Sequence, residues 1–223
     1  MYRVRRTRYI WKCSVLIMNL TELFYILLGI FIFLMSVTLH EYCHGFLADC
    51  LGDHTARDRG RLTLNPLRHI DPFWTVFLPM LLFFSTRGQF AIGMARPVPV
   101  NFSNLRNPKR DMVWVGAAGP LANFALASVL TFLFKFYPAK FLLYAIYFNL
   151  GIGVFNLVPI PPLDGSRILT GLLPVKLARY YMQLEPFGFL IVLALYMTGW
   201  LYLAILPGIH LLCRILGIPA LEV

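Results

Sequence analysis

The chain has 223 residues, 59% of them hydrophobic and only 13% charged, with a mean hydropathy of +0.70, well outside the range of soluble domains. This is the composition of an integral membrane protein, and at ~20 apolar residues per span the length leaves no room for a large soluble domain. The net charge of +10 does not indicate a nucleic-acid partner, because the Lys and Arg residues are scattered between apolar segments instead of gathered on one face.

Residues 1–20 form a basic extension carrying Arg3, Arg5, Arg6, Arg8 and Lys12. No small-residue cleavage site follows, so a signal peptide is not indicated, and Met18 is an alternative natural start. Four apolar segments, at about 21–48, 112–134, 141–163 and 187–206, are each long enough to cross ~30 Å of hydrocarbon as a helix. Residues 73–84 are apolar but number only twelve and include Pro79, which suits a re-entrant or interfacial segment. Residues 207–217 are similarly short and read as half a span or a surface helix. Between the short segment and the next span, GQFAIGMARPVPVNFSNLRNP mixes β-compatible residues with Pro and Gly and reads as strand or loop.

Internal repeats and flexible linkers are not apparent. The expectation is an all-α polytopic membrane protein: a bundle of about four to six transmembrane helices with a short re-entrant or β-like membrane-associated segment. Residues 21–217 would form one domain, followed by a tail at 218–223. The four cysteines, Cys13, Cys43, Cys50 and Cys213, include no C-x-x-C pair, so neither a disulfide framework nor a thiolate zinc cage is indicated.

In the first span the sequence reads LHEYCHGF. His40 and His44 are four residues apart, on one face of a helix, where both imidazoles can reach one ion. Two neutral imidazoles suit Zn²⁺, and Glu41 between them can take a proton from bound water. An ionisable group inside an apolar helix costs ~2.5–3.5 kcal/mol on insertion scales and marks function by default. Catalytic zinc takes a third protein ligand. Asp164 is a candidate, at the end of a span just after Pro159, Pro161 and Pro162 break the helix, although a lone carboxylate there can also be an interfacial residue.

HEYCHG and the later NLVPIPPLDG together resemble the paired signatures of the site-2 protease family of intramembrane metalloproteases. The resemblance extends to GDHTARDRGRLTLNPLRHIDP, to GMARPVPVNFSNLRNP and to AGPLANF at 118–124. It implies a zinc metallopeptidase that cuts transmembrane segments of other proteins, with one zinc ion on His40, His44 and Asp164, and Glu41 as general base. Asn156 stands where the family places a polar residue that helps hold substrate or the developing oxyanion; satisfaction by backbone is the alternative. No insertion is long enough for the PDZ domain of some members, and no nucleotide-binding regulatory domain is seen.

Other residues rank lower. His54 and His69 lie in a polar connection and read as surface residues. Cys43 reads as a small, buried apolar residue, and Asn123 with its small neighbours as a site of close helix packing.

For His44 and Asp164 to meet, the first and third long helices must run the same way, which requires 73–84 not to cross. Loops on the active-site side, residues 49–111 and 165–186, then carry 12 of the 20 Lys and Arg, which makes that side cytoplasmic and the cell membrane the expected location; the basic N-terminus disagrees, but metal geometry is the stricter constraint and a start at Met18 would remove the conflict. The partners expected are the lipid bilayer and transmembrane protein substrates, with no nucleic acid. Two other functions use the same ligands: a zinc-binding membrane transporter or sensor, and an inactive scaffold that binds helices. The first should show repeats or a polar path, and the second has no need of Glu41.

Overall fold

A computed structural model describes residues 20–85, 93 and 95–220. The basic extension therefore lies outside the described residues except for Leu20, as do the last three residues of the tail. Helix α1 (Leu20–Cys50) runs for 31 residues, about 46 Å. After it come a short α2 (Thr55–Asp58), a π-helical turn (Pro72–Phe77) continuing into α3 (Leu78–Ser85), and then α4 (Pro108–Phe136) and α5 (Lys140–Leu157). The chain ends with α6 (Asp164–Leu172), α7 (Val175–Met182), α8 (Gly188–Met197) and α9 (Trp200–Leu216). Among the described residues there is no strand, and four stretches are long and apolar enough to cross a membrane: Leu23–Cys50, Pro108–Phe136, Lys140–Leu157 and Val175–Met197.

The distribution of side chains is that of a protein in lipid. On α1, Leu23, Phe24, Leu27, Ile30 and Phe31 are exposed, while Ser36, Thr38, His40, His44 and Asp49 are buried. Without a hydrophobic drive between helices, small and polar residues make the interfaces. Gly153 of α5 lies so close to the Phe124 ring that a Cβ there would sit 2.3 Å from it. A second cluster packs Ala127, Ile146 and Leu150 against Ile209 and Cys213 of α9.

Contacts between the long helices fix their directions. Going up α1 from Ser36 through His40 to His44, the partners on α4 run backwards, from Asn123 to Val115, so these helices are antiparallel. Asn149 of α5 lies level with Ser36, and the chain beyond α5 brings Asp164 level with both histidines. Helices α1 and α5 therefore run the same way.

Several boundaries differ from the sequence expectation. The helix expected over 141–163 ends at Leu157, because Pro159, Pro161 and Pro162 push Val158, Ile160 and Pro161 out of the α region. The helix expected over 187–206 is two, α8 and α9, divided at Gly199, whose φ of +76° is a left-handed conformation that favours glycine and ends a helix. Helix α9 then takes in 207–216, passing through Pro207 and stopping before Gly217. Residues 165–186, expected as a loop, carry α6 and α7. The described part of the extended segment, residues 95–100, is irregular; residues 86–92 and 94 lie outside the described residues.

Candidate metal and catalytic centre

His40 and His44 lie on successive turns of the buried face of α1, 4% and 8% exposed. Asp164 is the first residue of α6, delivered by the proline-broken turn that follows α5. Gly165 lets this turn close, since a Cβ there would meet the Leu157 carbonyl oxygen at 2.2 Å. The structure thus brings together all three expected ligands. His40 Nε2 and His44 Nε2 are 3.1 Å apart, and they lie 3.0 and 3.2 Å from Asp164 Oδ2. A tetrahedral ion with bonds of ~2.0–2.1 Å holds its ligand atoms about 3.3 Å apart, so the triangle is of the right size.

Hydrogen bonding on the far side of each ring supports the same use. His44 Nδ1 lies 2.6 Å from the Val115 carbonyl oxygen, an acceptor only, so Nδ1 carries the proton and donates. That leaves a lone pair on Nε2. His40 Nδ1 lies 2.6 Å from Asn123 Oδ1, with the same consequence. Asp164 Oδ2 is buried with no hydrogen-bond donor. With both rings neutral, three lone pairs converge on one point, a donor set suited to a cation, and two imidazoles with one carboxylate suit zinc. Among the described residues this is the group of His, Cys, Asp and Glu able to hold a metal. Cys43, half-buried, is not part of it.

A cavity of about 490 Å³ opens on this cluster. Glu41 and Asn156 line it together with His40, His44 and Asp164, among apolar residues that include Phe33, Val37 and Phe155. The Val98 N–H donates to Glu41 Oε2 at 2.8 Å. This bond orients the carboxylate and leaves its second oxygen for other partners. Asn156 donates one amide hydrogen to the Ile152 carbonyl of its own helix, 3.0 Å away, and among the described residues its other amide hydrogen and Oδ1 have no hydrogen-bond partner. Arg167, three residues beyond Asp164, also lines the cavity; it pairs with Glu185 and stacks over Phe102 at 5.6 Å.

The loop that carries Val98 is fastened by Asp53. This carboxylate is fully buried and accepts from the Asn101 N–H at 2.6 Å and the Asn104 amide at 3.0 Å. Burial works to raise its pKa, but the hydrogen bonds from Thr55, Asn101 and Asn104 outweigh burial and hold it below 3.8. A carboxylate with a depressed folded pKa contributes stability that is complete above its unfolded value and is lost as pH falls through the folded one. Hydrogen-exchange protection at Asn101 is accordingly expected to hold from neutral pH to about pH 4 and to fall on further acidification. Asp53→Asn should loosen the same amide at neutral pH; unchanged protection in that variant would contradict this fastening.

Several participants were not evident as such in the sequence. Asn123, read as a packing residue, touches a metal-ligand candidate, and Asn149 and Ser36 stand behind it. A Cβ on Gly119 would lie 2.3 Å from His44 Nε2 and 2.6 Å from His40 Nε2. One signal was available: Ser36, His40 and His44 recur every four residues on α1, and Gly119 and Asn123 share a face of α4. His69 corrects the surface reading, being 2% exposed with Nε2 2.9 Å from the Thr63 carbonyl. His54 is exposed and lies 2.7 Å from Asp49.

Comparison with known proteins agrees with this chemistry. The profile of peptidase family M50 matches residues 135–198. A Bacillus subtilis protein named "Putative zinc metalloprotease YwhC" is 37% identical over 179 residues, 74% of this chain and 78% of the relative. "Putative zinc metalloprotease Rip2" of Mycolicibacterium smegmatis is 35% identical over 182 residues, covering 76% and 68%. A shorter match, 39% over 74 residues, or 31% of this chain and 22% of the relative, is to "Zinc metalloprotease MJ0392" of Methanocaldococcus jannaschii. No solved structure matches. Identity sustained over that much of both chains places this protein in peptidase family M50, as a zinc metalloprotease of the site-2 protease type.

Proposed function

We propose that the protein cleaves peptide bonds within or near transmembrane segments of other membrane proteins, using one zinc ion held by Nε2 of His40, Nε2 of His44 and a carboxylate oxygen of Asp164. The observation that carries this reading is the placement of the convergent acceptor atoms. They face a cavity whose lining is mainly apolar and includes Phe33 and Val37 of α1, Val115 of α4 and Ile152 and Phe155 of α5, surroundings that suit an apolar substrate segment.

When bound, zinc supplies Lewis-acid polarisation of a carbonyl and brings the pKa of a coordinated water towards ~7. The chain's own groups do the rest. Glu41, held by the Val98 N–H, accepts the proton of the attacking water through its second oxygen and returns it to the departing amine. Asn156 offers its remaining amide hydrogen to the carbonyl oxygen as charge develops there. A helical peptide bond is shielded by its own hydrogen bonding, so the substrate must unwind locally before it reaches the cavity.

We assign the active-site face to the cytoplasm and the protein to the cell membrane. The support is the excess of Lys and Arg in 49–111 and 165–186, since basic residues in short loops mark the cytoplasmic side.

The test uses liposomes containing the purified chain and a panel of single-span proteins, with matched water-soluble peptides outside. Product masses should map cuts to the apolar segment or its edge, and the soluble peptides should stay intact. Cutting confined to soluble peptides would contradict intramembrane action.

A further inference from the structure

We infer that Asn123 and Asn149 are positioning residues that lock the His40 ring in the tautomer presenting an Nε2 lone pair to the metal; this rests on the zinc site proposed above. Neither residue lines the cavity.

The argument starts from which amide atom faces which partner. Asn123 Nδ2 donates to Asn149 Oδ1 at 2.8 Å and to the Ser36 carbonyl oxygen at 3.3 Å. A backbone carbonyl accepts only, so the Asn123 amide has one orientation, with Oδ1 towards His40. Asn149 is fixed in the same way. Its Nδ2 donates to the Ala145 carbonyl at 2.8 Å and to Ser36 Oγ at 3.0 Å, which leaves Oδ1 for Asn123.

Donation therefore runs in one direction, from the imidazole on α1 through Asn123 of α4 to Asn149 of α5. Ser36 is 1% exposed and both asparagines are 0% exposed. With no water to compete, each group depends on its partner.

A reversed Asn123 amide would present hydrogens to His40 Nδ1. The ring would then carry its proton on Nε2, pointed at Asp164 Oδ2 in the space an ion would take. The amide orientation and the availability of Nε2 are thus one equilibrium, and Asn149 biases it from α5 without touching the ring. Outer partners of metal-binding histidines act in this way generally, and their loss costs 10–100-fold in affinity.

The test is zinc affinity of the full chain in detergent, measured by competition with a chromophoric chelator, alongside the ligand-field spectrum with Co²⁺ and thermal unfolding of the metal-free protein. Asn123→Leu should bind zinc about 10–100-fold more weakly, and Asn149→Leu should lose less, in the same direction. Asn123→Asp keeps an acceptor for Nδ1–H but loses the donor to Asn149 and to the Ser36 carbonyl, and should lose less affinity than Asn123→Leu. Wild-type affinity in Asn123→Leu, with only the metal-free protein destabilised, would overturn the inference in favour of plain packing. If Asn123→Leu does not fold, Asn149→Leu decides: an Asn149→Leu protein with wild-type zinc affinity overturns the inference. A wild type that takes up no zinc would instead overturn the site itself.

Discussion

Gly119→Ala is expected to remove zinc from the protein and abolish cleavage while leaving its helices in place. The added methyl would lie 2.3 Å from His44 Nε2 and 2.6 Å from both Cε1 and Nε2 of His40, far inside van der Waals contact, and these are the atoms the ion would need. The rings have little freedom to withdraw. His44 is tied to the Val115 carbonyl on the same helix, and His40 to Asn123 one turn further along it.

Helix α4 cannot easily yield either, since Gly116 faces the backbone of α6 at a distance where a Cβ would already meet the Asp164 carbonyl at 3.2 Å. Local propensity points the other way, because Ala favours a helix over Gly by ~1 kcal/mol. Loss of metal in a variant whose far-UV circular dichroism is unchanged would therefore be a steric effect at the ligands. Full zinc occupancy in Gly119→Ala would mean that the two imidazoles do not form the site as described.

The parts of this centre that were legible in the sequence are the local ones. His40, Glu41 and His44 declare themselves through helical spacing within six residues, and Asp164 through three prolines and a glycine packed around it. What lies behind them is non-local. Asn123 and His40 are 83 positions apart, and Ser36 and Asn149 are 113 apart, so nothing near Asn123 distinguishes a metal-positioning amide from a residue of close helix packing.

The same limit explains Glu41 and Val98, 57 positions apart. There the bond is made by a backbone N–H, which leaves no trace in residue identity. Two helix ends were misplaced for a different reason. Counting apolar residues carried the third long helix through Pro159 to Leu163, and the last one through Gly199, because hydropathy weighs side-chain transfer whereas these boundaries are set by backbone sterics. The direction of α1 relative to α5 was inferred from the need for His44 and Asp164 to meet, and the helix contacts agree with it.

The central claim is that a single ion on His40, His44 and Asp164 works with Glu41 as the base. It is tested most directly by comparing wild type with Glu41→Gln, purified in parallel, for zinc per chain and for the rate at which membrane-helix substrates are cut in liposomes. Glutamine keeps the length of the side chain and an oxygen for the Val98 N–H, and Glu41 is outside the ligand triangle, so zinc content should be equal in the two proteins. It has no basic oxygen to take a proton, so cleavage should fall by about 10²–10⁴-fold. Cleavage by Glu41→Gln at the wild-type rate, or loss of its zinc, would contradict the account.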